Sequence, residues 1–366
     1  MKIRLPAKLS WYFIRQYSLN FLALLFGLLA IIYIFDIVEL LRRASNADKA
    51  SLPVVLQMGL YKLPEVGQLI VPFAVLFSAM WTFWQLTKRH ELTVVRSAGV
   101  SAWQFILPII LTAFVFGLIL ISAVNPLSAL FISKFEKLET QYLGSKSRTV
   151  SLSDQGLWLK QKYGDGQAIL HAQRVQMPHW HLQQVTVFFF DLENNFERRV
   201  DAASSYLQEG QWHFQYAVSN APGQLPQAAN DLKIETDLTV TDLEGSFASP
   251  ETISFWNLPA YIQTIEETGF DSTPIKMYFH NLISQPLLYM AMILLAAAVS
   301  LRPQRMQAGA FLIFLGIVIG FVMFFMSSFM QALGASGQIP IFVAAWFPAM
   351  IGLLFGIGAM MVLEDG

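Results

Sequence analysis

Thr87-Lys-Arg-His-Glu-Leu-Thr-Val-Val-Arg-Ser-Ala-Gly-Val-Ser-Ala-Trp-Gln104 is a short polar interruption between two long hydrophobic runs. It carries Lys88, Arg89 and Arg96 against a single acid, Glu91. The positive-inside rule places such a loop in the cytoplasm. Glu91 to Ala98 contains no helix breaker, and Gly99 stands where a helix needs a residue of left-handed backbone. Ser101 and Gln104 match a capping box that opens the next helix. Leu92 and Val95 share one face with Val94 beside them, leaving Thr93 and Arg96 outward. The stretch therefore predicts a short amphipathic helix over about 88–99, held between two membrane spans. With nothing of its own to pack on, such a helix suits docking to a soluble partner.

Composition agrees with a membrane setting. Of 366 residues 55% are hydrophobic and only 13% charged, with a mean hydropathy of +0.48, against about 25% charged in soluble domains. A net charge of −1 without a long basic tract gives no reason to expect nucleic acid. The absence of cysteine excludes disulfides, thiolate chemistry and any zinc site that needs sulfur. Lys2, Arg4, Lys8 and Arg15 precede the first apolar run, which lacks a small-residue cleavage site, so it reads as a retained span.

Residues 1–18 alternate basic residues with Leu9, Trp11, Tyr12, Phe13 and Ile14, which predicts an interfacial helix on the cytoplasmic leaflet. The first span is expected over about 19–38, followed by Glu39, Arg42 and Arg43 on the far side. A short apolar helix from Ser51 to Tyr61 precedes a second span, whose start is bracketed by Pro64 and Pro72 and which continues to Leu86. The third span runs from about Ala102 to Val124, with Asn125-Pro126 as its stop. From 125 to 281 the periodicity changes, and Gly156–Gln161, Ala168–Val175, Gln184–Leu192, Gln211–Val218 and Leu232–Leu243 read as strands. Tyr163-Gly-Asp-Gly166, Glu193-Asn-Asn195 and Pro222-Gly223 punctuate them. So many strands without intervening helices predict an antiparallel sandwich or jelly roll. A helix capped by Asn257 and closed by Gly269 follows, then three spans near 282–301, 310–333 and 341–363. The expected fold is a six-helix transmembrane bundle (1–124 and 282–366) with an inserted periplasmic antiparallel β-jelly-roll-like domain (125–281). Both termini then lie in the cytoplasm.

Several familiar chemistries are missing from the sequence. No G-x-x-x-x-G-K-[ST] occurs, so the chain cannot cradle a nucleotide in a P-loop. No Ser-His-Asp signature appears, and no acid interrupts a hydrophobic span beyond Asp36 at the end of the first, which argues against an ion-driven carrier. His179-Trp-His181 puts two imidazoles on one strand face, but no further ligand is placed nearby, so a surface strand is favoured over a metal site. Gly316/Gly320 and Gly352/Gly356 let helices approach closely, either within one bundle or at a dimer seam. Glu39 can pair with Arg42 or Arg43, either as a plain surface ion pair or leaving one arginine to hold a lipid phosphate. In Gln184–Leu192, Val185, Val187 and Phe189 share one face and Thr186, Phe188 and Phe190 the other.

Leu63-Pro-Glu-Val-Gly-Gln-Leu-Ile-Val-Pro72, Arg89-His-Glu-Leu-Thr-Val-Val-Arg-Ser-Ala-Gly99 and Gln155-Gly-Leu-Trp-Leu-Lys160, with Asp201-Ala-Ala and Gln211-Trp-His-Phe, carry a resemblance. In their order along the chain they resemble the permease subunits of the lipopolysaccharide-export ABC transporter, the LptF/LptG family, and more closely its LptG branch. The resemblance implies extraction of lipopolysaccharide from the inner membrane and transfer to a periplasmic bridge protein. It implies a dimeric cytoplasmic ABC ATPase and a paralogous LptF-like permease as partners, with ATP and Mg on the ATPase and no cofactor or catalytic residue in this chain. Glu91 would be the acid of the coupling helix that docks on the ATPase, with Leu92, Val95 and Arg96 beside it. Arg42 and Arg43 fall where the family places basic residues facing lipid phosphates, and Val185, Val187 and Phe189 become candidates for a lipid conduit. Asp36 departs from the pattern, since a related sequence carries a basic residue there. The rival function is a membrane sensor or structural protein whose β-domain has no ATPase.

Overall fold

The computed structural model describes residues 6–44, 51–143, 150–153, 156–163, 166–176, 181–191, 193, 195–208, 210–236, 249–267, 271–301 and 309–365. The helices are α1 (Ala7–Ala44), α2 (Leu52–Lys88), α3 (Glu91–Ser97), α4 (Ala102–Ile119), α5 (Asn125–Tyr142), α6 (Leu258–Glu267), α7 (Thr273–Ser300), α8 (Gly309–Ala335) and α9 (Ile341–Asp365). A π-helical turn, Leu120–Val124, fuses α4 to α5. Among the described residues six helical stretches are long and apolar enough to cross a membrane. The chain divides into two compact units, one of 1–143, 251–256 and 273–366, the other of 144–250 and 257–272.

In the helical unit the spans run further than their breakers suggest. No separate surface helix precedes the first span: α1 is one helix of 38 residues. The reason lies in a stripe at i, i+4 and i+8, in which Phe13, Tyr17 and Phe21 are all buried, so the face that packs continues through the expected boundary. Phe21 and Tyr17 both stack on Phe116 of α4. The short helix expected over 51–61 is likewise the first part of α2, which passes through Pro64 and Pro72 without ending. Where the membrane gives the chain no water to hydrogen-bond, continuing the helix and repairing one lost bond is the cheaper course.

Asn125-Pro126 is not a stop either. The π turn just before it accommodates the missing proline N–H. Ser122, inside that turn, has its carbonyl engaged by the Trp256 indole N–H at 3.1 Å. Asn125 itself is fully buried and makes a three-way junction. Its amide nitrogen donates to Gln68 (3.3 Å) and to the Tyr278 hydroxyl (3.0 Å), and its carbonyl accepts the Phe255 backbone N–H at 2.9 Å. Phe255 in turn stacks on Phe279 with ring centroids 5.5 Å apart.

Both G-x-x-x-G pairs pack inside the bundle. A Cβ on Gly316 would lie 2.7 Å from the Met80 sulfur, and one on Gly320 3.1 Å from the Phe73 ring. On α9, a Cβ on Gly352 would meet Ala291 at 3.0 Å and one on Gly356 would meet Leu294 at 2.6 Å. Thus α8 seats on α2, and α9 on α7.

The second unit holds an antiparallel, jelly-roll-like sheet wound as a meander, each strand pairing with its successor. The strands are β1 (Val150–Ser153), β2 (Gly156–Tyr163), β3 (Gly166–Gln176), β4 (His181–Phe190), β5 (Phe196–Gln208), β6 (Gln211–Asn220) and β7 (Gln227–Glu235). Two of these, β1 and β5, have no counterpart among the expected strands, and β7 begins five residues earlier than expected. The part of that last strand beyond 236, the Gly269 stop and most of the 302–309 loop lie outside the described residues. One face is buried throughout: Leu157, Leu159, Ala168, Leu170, Val185, Val187, Phe189, Val200, Trp212 and Phe214.

Along one row the two-residue alternation slips by one. The buried positions jump from 172 to 175, 182 to 185, 202 to 205 and 214 to 217 on four successive strands. Gln184 and Tyr216 sit in those gaps with φ of +52° and +53°. Pairing register is unchanged across the row, so the alternation slips in step on the neighbouring strands and the same face stays inward on both sides of it.

Candidate functional site

The polar turn after α2 is tight. His90 takes φ +60° between the end of α2 and the start of α3, with its N–H on the Thr87 carbonyl at 3.0 Å. At the other end of α3, the Gly99 N–H reaches the Arg96 carbonyl (2.9 Å) and the Val100 N–H the Val95 carbonyl (3.4 Å). This is a Schellman closure, and Gly99 at φ +81° supplies the left-handed residue it needs. Gln104 then accepts the Ser101 N–H at 3.3 Å, as the capping box requires. Local sequence therefore sets the C-terminal end of α3 and the start of α4, while the N-cap of α3, His90, makes no side-chain capping bond.

It also has something to pack on, contrary to the expectation of a helix with no support. Leu92 is buried in the core of the bundle and Val95 is half-buried against it. Thr93, Val94 and Arg96 remain exposed, and Val94 is 67% accessible. Glu91 accepts a hydrogen bond from the Tyr12 hydroxyl at 2.9 Å, with Arg89 4.0 Å away. Of the expected coupling residues, then, Leu92 and Val95 anchor the helix, Glu91 is shared with α1, and Arg96 faces outward.

Tyr12 is the first of three polar residues on one stripe of α1. Gln16 donates to Gln85 at 2.8 Å, and Asn20 donates to Thr82 at 2.9 Å and to Gln85 at 3.4 Å. Thr82 passes its own hydroxyl hydrogen to the Ser78 carbonyl at 2.7 Å. Positions 12, 16 and 20 form one face beside the buried Phe13, Tyr17 and Phe21. A polar seam thus runs from the short helix into the span, joining α1 to α2. The only signal of it in the sequence is amides at Gln16, Asn20 and Gln85 in or beside apolar runs.

At the opposite end of α1, Arg42 forms a bidentate pair with Glu39, at 2.8 and 2.9 Å, on an exposed face. Arg43 does not share that carboxylate. It bonds instead to Glu139 of α5, tying α5 to α1. Asp36, the departure from the family pattern, holds Lys62 of α2 at 2.6 Å. Each of these cations therefore already faces a carboxylate. Of these, the Arg42–Glu39 pair is open to solvent, so it is screened and contributes little to stability.

In the β-unit, Val185, Val187 and Phe189 lie on the buried face, all 2% exposed or less, while Thr186, Phe188 and Phe190 on the other face are half-buried. Arg198 of β5 lies over the Phe189 ring at 4.5 Å and donates to the Tyr163 hydroxyl at 3.1 Å. Gln161, also buried, accepts from the Trp212 indole (3.2 Å) and the Thr236 hydroxyl (2.8 Å). His181 stacks on Tyr206, and Tyr206 on His213 at 4.9 Å; His179 lies outside the described residues.

Comparison with known proteins converges on one family. A sequence profile described as "Lipopolysaccharide export system permease LptF/LptG" matches residues 11–362. The chain is also 24% identical over 343 residues, 90% of its own length and 91% of the relative's, to the lipopolysaccharide export system permease protein LptG of Haemophilus influenzae. With six membrane-length helices, an antiparallel sheet inserted in sequence between the third and fourth, and a profile match spanning nearly the whole length, this chain belongs to the LptF/LptG family of lipopolysaccharide export permeases.

Proposed function

We propose that the chain is one of two permease subunits of an ABC transporter that draws lipopolysaccharide from the inner membrane and hands it to a periplasmic bridge protein. A separate cytoplasmic ATPase dimer, holding ATP and Mg, supplies the energy, and a paralogous LptF-like permease completes the membrane part. The observation that carries this reading is the family match over 11–362, which includes the short helix α3 between two spans. That helix presents Thr93, Val94 and Arg96 outward, a small surface on which a soluble subunit can seat. The large apolar faces of α1 and α8, with Phe26, Phe35, Phe314, Phe321 and Phe325 exposed, support a second membrane subunit. In this reading both termini are cytoplasmic and the β-unit is periplasmic.

A covered route suits the cargo. Acyl chains lose about 0.8 kcal/mol per CH₂ when exposed to water, so several chains together would cost on the order of tens of kcal/mol. The inward β-face with Val185, Val187 and Phe189 is the apolar lining that would cover them once the sheet opens to admit them. The test is a photo-crosslinking scan of 185–190 in vesicles carrying the whole transporter. Crosslinks to lipopolysaccharide are expected at 185, 187 and 189 and to depend on ATP. Equal labelling at 186, 188 and 190, or none at all, would overturn the conduit. The absence of any co-purifying ATPase would instead favour a sensor.

A further inference from the structure

Gln184 and Tyr216 take left-handed backbone in the row where the alternation slips, at φ +52° and +53°. That conformation crowds any residue with a Cβ, and it suits glycine or asparagine. A sheet that needed only this backbone conformation would be better served by glycine at both places. Their side chains share a destination. Both line one cleft of about 480 Å³ on the outward side of β3–β6, together with Gln173, His171, Thr186 and Asp201.

The polar groups of this cleft are available to a ligand. Tyr216 is 71% exposed. Its hydroxyl and the amides of Gln173 and Gln184 have no hydrogen-bond partner among the described residues. Asp201 is fixed in place through one oxygen. Its Oδ1 accepts from the Thr186 hydroxyl at 2.9 Å and from Arg199 at 2.7 and 2.9 Å, while Oδ2 takes none of these bonds. His171, its ring tilted against Trp158 with centroids 4.3 Å apart, walls one side of the cleft.

We propose that this cleft binds a saccharide. Two amides offer donors and acceptors together, which is what vicinal hydroxyls require, since each hydroxyl both gives and takes a hydrogen bond. The held carboxylate oxygen adds an acceptor, and the exposed tyrosine an amphipathic ring for the C–H face of a sugar. A phosphate is disfavoured, because the nearby guanidinium of Arg199 is committed to Asp201, whose carboxylate faces the cleft. A peptide strand would need an open sheet edge, but β3–β6 are each paired on both sides. The volume suits one or two sugar rings. Only the identification of that sugar with the carbohydrate of an exported glycolipid rests on the export reading.

The test uses the full-length chain in amphipol, free of glycoside detergent. Saturation-transfer NMR would be run with cellobiose, N,N′-diacetylchitobiose, the oligosaccharide freed from lipopolysaccharide by mild acid, and tetra-alanine. Gln184→Gly and Tyr216→Gly suit the local backbone, so both variants should melt at or above the wild-type temperature. Wild type should show transfer to at least one saccharide, falling roughly fivefold in each variant, as loss of one bonding group implies. Transfer to cellobiose or chitobiose alone would still establish the site while removing the link to cargo. No transfer to any saccharide, undiminished transfer in both variants, or equal transfer to tetra-alanine would overturn it.

Discussion

Tyr12 and Glu91 can each be altered conservatively, and the two changes separate the roles open to the carboxylate. Tyr12→Phe removes only the 2.9 Å bond inside the chain, leaving Glu91 charged. Glu91→Lys removes the acceptor and reverses the charge that an ATPase groove would meet. If the carboxylate makes a desolvated contact with the ATPase, its reversal should weaken the complex by about 2–5 kcal/mol. Pull-down should then show Glu91→Lys losing the ATPase with the permease still inserted, while Tyr12→Phe retains it. Equal retention in both would leave the carboxylate an internal strut. Packing offers a second test at this scale. Gly356→Val, with a Cβ 2.6 Å from that of Leu294, should destabilise the bundle by about 1–3 kcal/mol in a thermal melt. Gly358→Val, where a Cβ meets nothing within 4 Å, should not.

At the scale of elements, the polar seam predicts that the N-terminal half of α1 and the C-terminal half of α2 are coupled. Gln16→Leu or Gln85→Leu alone strands one amide among apolar groups, whereas the double variant strands neither amide of that pair. Intramembrane hydrogen bonds are worth about 0.6 kcal/mol on average, up to about 1.7. Each single variant should therefore lower the melting temperature more than half of what the pair does, a non-additivity that a double-mutant cycle measures. In the β4–β5 turn the Asp191 carboxylate accepts the Asn195 and Glu193 N–H groups at 2.8 and 2.9 Å and the Asn195 amide at 3.2 Å. The backbone bond from Asn195, then its side-chain bond, hold the acid below the ordinary aspartate range. A depressed folded pKa stabilises above the unfolded value, about 3.9, and that contribution fades as pH falls through the folded one. The melting difference between wild type and Asp191→Ala should thus be present at neutral pH and vanish in strong acid.

Much of this was legible in the chain, for identifiable reasons. Apolar runs of membrane length, the Gly99 closure and the Ser101–Gln104 box are local signals, and all three stand in the fold. The helices run on through Pro64 and Asn125-Pro126, where the sequence predicts boundaries, because the rule for proline presumes water as the alternative partner. Strand β5 is not legible from periodicity, since Glu197-Arg-Arg-Val-Asp201 lacks alternation; Arg198 turns toward the buried face and lies on Phe189. The seam partners Glu91, Gln85 and Thr82 lie 79, 69 and 62 residues from Tyr12, Gln16 and Asn20, beyond any periodicity.

For the whole molecule, the export reading fixes an orientation that reporter fusions check. Fusions at Gly99 and Gln304 should be active in the cytoplasm and one at Gly223 in the periplasm; a cytoplasmic signal at Gly223 would overturn the arrangement. Arg42→Ala with Arg43→Ala should reduce lipid-stimulated ATP hydrolysis and spare basal turnover if those residues meet lipid phosphates. Unchanged stimulation would leave them as partners of Glu39 and Glu139 alone.

Asn125 bears on how this protein can be cut and recombined. The short passage 251–256 comes after the strands in sequence, yet it belongs to the helical unit, where the Phe255 N–H fills the Asn125 carbonyl. A chimera that imports a foreign β-unit by replacing 144–250 keeps that donor in place. One spliced at Thr273, where the next long helix starts, discards it and leaves a fully buried amide oxygen without a partner. Such a vacancy costs about 1–3 kcal/mol. The boundary that a graft must respect therefore lies at residue 250, not at the beginning of the helix that follows.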